Sequence, residues 1–223
     1  MSEGYTVYGA SGSGSMPVEA TLTLMKQPFR VVEAVTWEGD AERDKVAVVN
    51  PMRQIPALVT RPDAGGRSET ITESAAILLW LTERHPEAGL APGVDDPRRG
   101  QFLRWMTFIP ASIYSMFWVR DVPSRLVGDD AAAQAVLQAR TAERIAECWA
   151  VMERQLTPGR FLLGDDLTVL DLYVTAVSRW RPRRARFAEV APRMAGVVRR
   201  VDALPELADF WATRWPFEPD EEH

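Results

Sequence analysis

The sequence predicts an α/β domain of element order βαβαββα, followed by an all-α domain. Short runs of β-forming residues occur only in the first part of the chain, and beyond them apolar residues recur at helical spacing. Between the two parts lies PEAGLAPGVDDP, whose three prolines and two glycines are typical of a linker. We therefore predict an N-terminal domain at 1–85, a linker at 86–96 and a helical domain at 97–223.

The composition is that of an ordinary globular protein, with 46% hydrophobic and 26% charged residues. A net charge of -5 argues against a nucleic-acid-binding surface, and the one basic cluster, RWRPRRAR at 179–186, is expected to be a solvated turn. One cysteine, Cys148, and two histidines, His85 and His223, argue against a structural zinc site or a Ser–His–Asp triad. Neither a signal peptide nor an apolar run of about 20 residues is visible, so we expect a soluble, cytoplasmic protein.

The N-terminal domain opens with a strand–helix–strand unit. Residues 5–8 favour a strand, and a helix begins at about Met16, with Pro17 in its first turn, where no N–H is needed. The run RVVEAVTW at 30–37 predicts the second strand. Because a helix separates these strands, we expect them to lie parallel in one sheet.

Two further strands, at 57–59 and 70–71, should pair as an antiparallel hairpin. The turn between them, TRPDAGGRSE at 60–69, is expected to be an exposed flap without effect on the chemistry. A helix then opens at 72–74 and ends at His85, before a proline.

The second domain shows only helical patterns. Helices are predicted at 97–120, at about 130–156, at 169–180 and, as a pair, at 187–214. Pro110 should kink the first of them. Thr168 and Asp171 predict a capping box at the start of the third, which is a structural signal.

The stretch YGASGSGSMP at 8–17 places three serines in a short loop between the first strand and the first helix. It lacks the Gly-Lys-Ser/Thr end of a phosphate-binding P-loop and the third glycine of a dinucleotide-binding fingerprint. A hydroxyl near a helix N-terminus can donate to a thiolate, and the helix dipole favours the same anion. The loop is therefore a candidate for activating a thiol, with Ser11, Ser13 and Ser15 all open as the donor.

Two further motifs fit a peptide-like ligand. In the stretch IPA, a cis bond before Pro56 would turn the Ile55 backbone outward to pair with an added strand, whereas a trans proline would only start a strand. In the stretch TESA, the free N–H groups of a helix start attract a carboxylate. There Glu73 could accept from an ammonium group and Ser74 could donate, although plain N-capping uses the same residue types.

In the order YGASGSGS, NPMRQIPALV, ITESAAILLWL and FLLGDDLTVLDLYV, these pieces resemble the cytosolic glutathione transferases, in particular the bacterial, serine-type members. The resemblance extends from about Tyr5 to Trp215. It implies a thioredoxin-like N-terminal domain that binds glutathione as co-substrate, without a metal. It also implies an all-helical domain that forms the pocket for a small hydrophobic electrophile, and a cytoplasmic homodimer active in detoxification.

The resemblance also assigns roles to single residues. The glutathione-binding residues that it implies are Arg53, Gln54, Ile55, Pro56, Glu73 and Ser74. The catalytic hydroxyl falls on Ser13, with Ser11 next and Ser15 last, while other alignments with the family put the reactive position at Gly12 or Gly14. The implied electrophile pocket draws on Phe108, Ile109, Ser112 and Tyr114, for each of which simple packing is the alternative.

The predicted function is therefore glutathione transfer to an alkyl or aryl electrophile, with glutathione itself as the nucleophile and a serine hydroxyl that stabilises its thiolate. Two alternatives remain open. One is a glutathione-dependent isomerase, dehalogenase or lyase, and the other is a non-catalytic binding protein of the same fold.

Overall fold

A computed structural model describes residues 4–63, 65–180 and 184–217 of the chain. The strands are β1 Tyr5–Gly9, β2 Phe29–Glu33, β3 Ala57–Val59 and β4 Thr70–Thr72, and the helices among them are α1 Met16–Leu24, α2 Asp40–Ala47 and α3 Ser74–Arg84. The helical part comprises α4 Arg99–Phe108, a π-helical stretch Ile109–Tyr114, α5 Ser115–Asp121, α6 Ser124–Val127, α7 Ala131–Gln155, α8 Val169–Ser178, α9 Arg184–Val190, α10 Pro192–Asp202 and α11 Ala208–Arg214. The predicted fold class is confirmed.

The four strands form one mixed sheet in the order β2-β1-β3-β4. As predicted, β1 and β2 run parallel and β3 and β4 run antiparallel, while β1 and β3 also pair antiparallel. This topology brings the end of β1, the start of β3 and the end of β4 to the same edge of the sheet. Both α1 and α3 begin at that edge, because each follows a strand that ends there.

The core joins the two parts of the chain through α1 and α8. Every residue from Met16 to Leu22 is buried, and so are all 10 residues of α8. The two helices pack against each other, and α1 also packs against α3. Burial of large apolar side chains stabilises the fold by about 1.5–3 kcal/mol each, so this packing fixes the loop before α1 against the helical part.

The second strand is shorter than predicted, since β2 ends at Glu33 rather than at residue 37. Among the described strands, β2 pairs with β1 alone, and β1 ends at Gly9 opposite Glu33. One more backbone bond, from the Ala34 N–H to the Gly9 carbonyl, follows, and then the chain turns. Sequence propensity alone favoured the longer strand, but the ladder stops where its partner stops.

The helical part differs from its prediction in two ways. Pro110 lies in a π-helical stretch that continues into α5, so the missing proline N–H is accommodated by a wider turn rather than by the expected kink alone. The range predicted to hold two helices holds three, α9, α10 and α11. In the described part of the chain, no helix combines the length and apolar character needed to cross a membrane.

The expected solvated turn at 179–186 is wrong for Arg179 and Arg184, which are both buried. The Arg179 guanidinium lies 3.8 Å from the centroid of the Trp215 ring and donates to the Trp215 carbonyl oxygen at 2.9 Å. Arg184 pairs with Asp202. Arg179 therefore binds the segment after α11 and Arg184 binds the end of α10, so neither faces water. Residues 181–183 of the cluster lie outside the described residues.

Candidate functional site

Strand register brings the three sequence motifs together. Ala57 pairs with Thr72 of β4 and with Tyr8 of β1. Ile55 and Pro56 directly precede Ala57, so they lie where β1 and β4 end. The serine loop follows β1 and the stretch TESA follows from β4, so the three motifs meet at one edge of the sheet.

The Ile55–Pro56 peptide bond is cis, which settles the alternative that the sequence left open. Pro56 is buried and Ile55 is half-buried. Within the described ranges the Ile55 backbone forms no hydrogen bond, because β4 ends at Thr72 and the chain turns into α3 before reaching it. Its N–H and C=O are therefore available to an extended ligand.

The start of α3 forms the second wall of this edge. Glu73 is exposed and has φ 68° and ψ 113°, a conformation that non-glycine residues rarely adopt and that is often found at ligand sites. The backbone N–H groups of the first helical turn have no partners within the helix, so they suit a carboxylate. Ser74 is buried, and its hydroxyl donates to the Gly14 carbonyl oxygen at 3.0 Å.

Two tyrosines from the helical part surround the contact between Ser74 and Gly14. A Cβ atom on Gly14 would lie 2.4 Å from the Tyr114 hydroxyl oxygen, so this tyrosine touches the loop backbone directly. Burial, reinforced by the negative charge of Glu73, raises the pKa of Tyr114 to about 12, which keeps it a neutral donor. Burial likewise raises the pKa of Tyr173, and a hydrogen bond with Ser74 offsets part of that rise.

The three candidate serines occupy different environments. Ser11 is exposed, Ser13 is 7% exposed and Ser15 is fully buried. The Ser13 hydroxyl oxygen accepts from the Ala10 N–H at 3.3 Å and from the Ser15 N–H at 3.1 Å. It also lies 3.0 Å from the Ser15 hydroxyl oxygen. Ser13 is thus the candidate whose hydroxyl is bonded to Ser15, the residue that precedes α1, in a residue that is not fully buried.

A buried ion pair supports the loop from below, and sequence reasoning missed it. The Ser15 hydroxyl donates to Glu19 Oε1 at 2.7 Å, and Arg214 Nε donates to Glu19 Oε2 at 2.7 Å. Glu19 is 0% exposed, and burial raises its pKa although Arg214 and Ser15 partly oppose that rise. The sequence signal that could have revealed this ion pair is an acidic residue on the apolar face of α1, four positions after a serine.

Two indoles cover the outer side of the loop. The Trp180 Nε1–H donates to the Gly12 carbonyl oxygen at 2.7 Å, and Trp215 lies 3.5 Å from where a Gly12 Cβ would be. Gly12 has φ 72°, in the left-handed region that favours glycine. Both tryptophans come from the helical part, so that part also shapes the loop.

Two of the predicted glutathione-binding residues lie at the rim of the site. Arg53 donates to Asp44 Oδ1 at 2.7 Å and to Asp40 Oδ1 at 3.2 Å, so its guanidinium faces α2. Gln54 is exposed, and its carbonyl oxygen accepts from the Asn50 side chain at 2.8 Å. In the described ranges, no hydrogen bond joins either side chain to the serine loop. The Arg53 side chain is held by α2, whereas the Gln54 side chain forms no hydrogen bond to another described residue.

The four residues predicted for the electrophile pocket differ in their burial. Ile109 is fully buried in the core, as the packing alternative proposed, while Phe108, Ser112 and Tyr114 are half-buried. Tyr114 is the one of these that lies against Gly14 of the serine loop. A small cavity of about 20 Å³ lies behind Phe117 and Trp180, with room for about one water molecule. In the described ranges, no cluster of three or more His, Cys, Asp or Glu side chains is arranged to hold a metal ion.

The capping box at the start of α8 is present as predicted. The Thr168 N–H donates to Asp171 Oδ2 at 2.9 Å, and the reciprocal bond from the Asp171 backbone to the Thr168 side chain is also formed. Asp171 further accepts from the Leu162 N–H at 2.8 Å. The box therefore fixes both the helix start and the loop before it.

Comparison with known proteins agrees with this architecture. Family models described as "Glutathione S-transferase, N-terminal domain" and "Glutathione S-transferase, C-terminal domain" match residues 14–84 and 122–214. An uncharacterized GST-like protein of Escherichia coli K12, YncG, is 30% identical over 204 residues, covering 91% of this chain and 95% of that protein. A probable maleylacetoacetate isomerase of Caenorhabditis elegans is 26% identical over 76% of this chain and 74% of its own.

Among solved structures, a Sulfitobacter glutathione transferase homologue with bound glutathione superimposes with a TM-score of 0.80. It is 21% identical to this chain, and the match covers 95% of this chain and 98% of that one. At that identity the likeness concerns the fold.

Proposed function

The chain belongs to the glutathione S-transferase family, and on that premise we propose that it binds glutathione at the sheet edge and transfers it to an electrophile. The observation that carries the proposal is the meeting of the serine loop, the free Ile55 backbone and the N-terminus of α3 at one edge. Each supplies a group that a tripeptide with a thiol and a γ-glutamyl end would use.

In this proposal, each part of glutathione has its own partner. The cysteinyl backbone pairs with Ile55 as an added strand next to cis-Pro56. The γ-glutamyl carboxylate binds the free N–H groups at the start of α3, and Glu73 accepts from the ammonium group. Arg53 and Gln54 lie at the rim of this site, where they would border the glycine residue of glutathione.

Ser13 donates its hydroxyl proton to the sulfur in this proposal. A free thiol has a pKa of about 8.5, so a hydrogen-bond donor and the positive end of α1 are needed to raise the thiolate fraction at neutral pH. The thiolate then attacks an electrophilic carbon, and the leaving group departs with the bonding electrons. Tyr114 borders the path by which a small hydrophobic electrophile reaches the sulfur.

The decisive experiment is the affinity for glutathione of Glu73→Ala and Ser74→Ala, measured by calorimetry. We expect both variants to lose at least about tenfold in affinity. Glu73→Ala removes a charged partner of the ammonium group, worth about 1.5–3 kcal/mol. Ser74→Ala removes the bond to the Gly14 carbonyl oxygen that holds the start of α3 against the serine loop. Glu69→Ala removes an exposed acidic side chain of the nearby turn and is the matched control, with unchanged affinity expected. If both site variants bind glutathione as tightly as the wild type does, this assignment of the glutathione site is wrong.

A second candidate function is a glutathione-dependent isomerisation. Relatives named as probable maleylacetoacetate isomerases in Caenorhabditis elegans and Drosophila melanogaster favour it, at 26% and 27% identity. The two functions share the glutathione site and differ in the fate of the sulfur bond. Mass analysis of the product separates them, because transfer leaves glutathione attached and isomerisation returns it free.

The proposal also includes a cytoplasmic homodimer. Exposed apolar side chains near α2, at Trp37, Val48 and Met52, support an interface there, since they are 58%, 77% and 71% exposed. Light scattering of the purified chain, with Met52→Asp as the disrupting variant, tests the dimer. A monomeric wild type contradicts it.

A further inference from the structure

The serine loop ends in a continuous hydrogen-bonded chain that runs inward. It leads from the Ser13 hydroxyl to the Ser15 hydroxyl at 3.0 Å, and from there to Glu19 Oε1 at 2.7 Å. Arg214 holds the other carboxylate oxygen, Oε2, at 2.7 Å. Arg214 Nη2 also donates to Oε1, at 3.3 Å, so Oε1 has a short bond from the Ser15 hydroxyl and a longer one from the guanidinium.

Counting protons fixes the direction of this chain. The Ser15 hydroxyl has one proton, and the short bond to an ionised Glu19 takes it. Ser15 then cannot donate to Ser13, so the 3.0 Å contact between the two hydroxyl oxygens must be donated by Ser13. The Ser13 proton consequently points inward, away from any ligand, as long as Glu19 is ionised.

That direction conflicts with a simple role for Ser13 as a donor to a thiolate. A hydroxyl that gives its only proton to Ser15 can meet an incoming thiol only as an acceptor. The weakest of its present contacts, the 3.3 Å bond from the Ala10 N–H, is the one that a thiol S–H would displace. A thiol that donates to Ser13 completes a path for its proton into the interior.

We propose that Glu19 is the internal acceptor of the thiol proton, reached through Ser13 and Ser15. This inference rests on the proposed function, since the thiol is that of bound glutathione. The S–H bond breaks as an O–H bond forms on Ser13, the original Ser13 proton passes to Ser15, and the original Ser15 proton passes to Glu19 Oε1. The result is a thiolate that accepts from Ser13 and a neutral Glu19 that donates to Ser15, with no net change in charge.

The surroundings of Glu19 suit this task. Arg214, from α11, donates to both carboxylate oxygens and most closely to Oε2, which leaves Oε1 to receive a proton while the pair with Oε2 is kept. The other acid nearby is Glu33, at the end of β2, which pairs with Arg214 at 3.2 Å on its outer side. Because Glu19 is 0% exposed, its proton cannot exchange with water directly and has to pass through Ser15.

An internal acceptor makes a prediction that a purely structural Glu19 does not. When a bound thiol ionises into water, one proton appears in solution for each thiolate, whereas a proton kept on Glu19 does not appear. Ser13, Ser15 and Glu19 would therefore act as one unit, in which Glu19 and Ser15 are positioning and relay residues and Ser13 alone touches the substrate.

The test compares thiolate formed with protons released when glutathione binds. Ultraviolet absorbance measures the thiolate, and a pH indicator in weakly buffered solution measures the protons. We expect the wild type to release less than about half a proton per thiolate, and Glu19→Gln and Ser15→Ala to release about one. Glu33→Gln keeps the inner chain intact and serves as the control, with wild-type stoichiometry expected.

Release of one proton per thiolate by the wild type overturns the proposal without any variant. Wild-type proton stoichiometry in a folded Glu19→Gln or Ser15→Ala variant also overturns it. If the loss of the ion pair prevents Glu19→Gln from folding, Ser15→Ala alone provides this test. Absence of any thiolate signal in the wild type overturns the proposed function instead, and the two failures are thus distinguished.

Discussion

The Ser74 hydroxyl donates to the Gly14 carbonyl oxygen at 3.0 Å, which joins the start of α3 to the serine loop. The contact connects residues that are 60 positions apart in the chain. It brings the group proposed to hold the γ-glutamyl end of glutathione to within one hydrogen bond of the loop proposed to hold its thiol. Any change at this junction should therefore affect binding and thiol activation together.

Gly14→Ala should destabilise this junction. The new methyl carbon would lie 2.4 Å from the Tyr114 hydroxyl oxygen and 2.9 Å from the Ser74 hydroxyl oxygen, so something must shift. We expect a loss of about 1–3 kcal/mol in the free energy of unfolding and at least about tenfold weaker glutathione binding. Chemical denaturation and calorimetry measure the two effects.

Two further variants make the Gly14 prediction specific. Tyr114→Phe in the Gly14→Ala background removes the closest atom and should recover part of the stability. Gly196→Ala, in α10, has no atom near its new methyl group and should be neutral or stabilising by up to about 1 kcal/mol. An unchanged Gly14→Ala variant would show that the loop and α3 are not held as described.

Ser13→Ala and Ser11→Ala should separate the candidate catalytic hydroxyls. Ser13 lies at the start of α1 within the hydrogen-bonded chain, whereas the Ser11 side chain is exposed. With a standard aryl halide as electrophile, we expect Ser13→Ala to lower kcat by about 100-fold, as for other positioned donors, and Ser11→Ala to stay within about threefold. The reverse order of effects would move the catalytic role to Ser11.

The sequence predicted what local patterns determine. The capping box of Thr168 and Asp171 depends on a few neighbouring residues, and it appears where the sequence put it. The parallel pairing of β1 and β2 followed from the helix between them. Such features carry their own physical signal, because the interacting groups are close in the chain.

Contacts between distant residues escaped prediction. Glu19 and Arg214 are 195 positions apart, and the indole of Trp180 reaches Gly12 across 168 positions. No periodic pattern in the sequence indicates which two buried charged residues form a pair. Arg179 illustrates the same limit, since a basic cluster indicates a solvated turn until Trp215 is known to lie beside it.

Asp171 should make stability depend on pH. Burial raises its pKa from the ordinary 3.8 to about 6, although bonds from the Leu162 and Thr168 N–H groups oppose the rise. Between these values the folded state binds the proton more tightly than the unfolded state does. The contribution of Asp171 to the free energy of unfolding therefore falls by up to about 3 kcal/mol as pH rises from about 4 to about 6. Above that range the contribution is constant.

Asp171→Asn is the matched control for this prediction, because it cannot titrate. The difference in unfolding free energy between wild type and Asp171→Asn, measured in urea, should shift against the wild type as pH rises through that window. A difference that does not change with pH would mean that the bonds to the carboxylate fully offset its burial.

Trp180→Phe should loosen the serine loop without emptying the core around it. The change keeps most of the ring packing against Tyr114 and Phe117 but removes the donor to the Gly12 carbonyl oxygen, at 2.7 Å. We expect a cost of about 1–2 kcal/mol and faster hydrogen exchange at the amides of residues 12–15, since the half-buried Gly12 carbonyl loses its donor and the loop opens more readily. Trp149→Phe, which packs on Phe187 away from the loop, should cost stability but leave exchange in the loop unchanged. Equal exchange in Trp180→Phe and wild type would mean that Trp215, on the other side of Gly12, holds the loop alone.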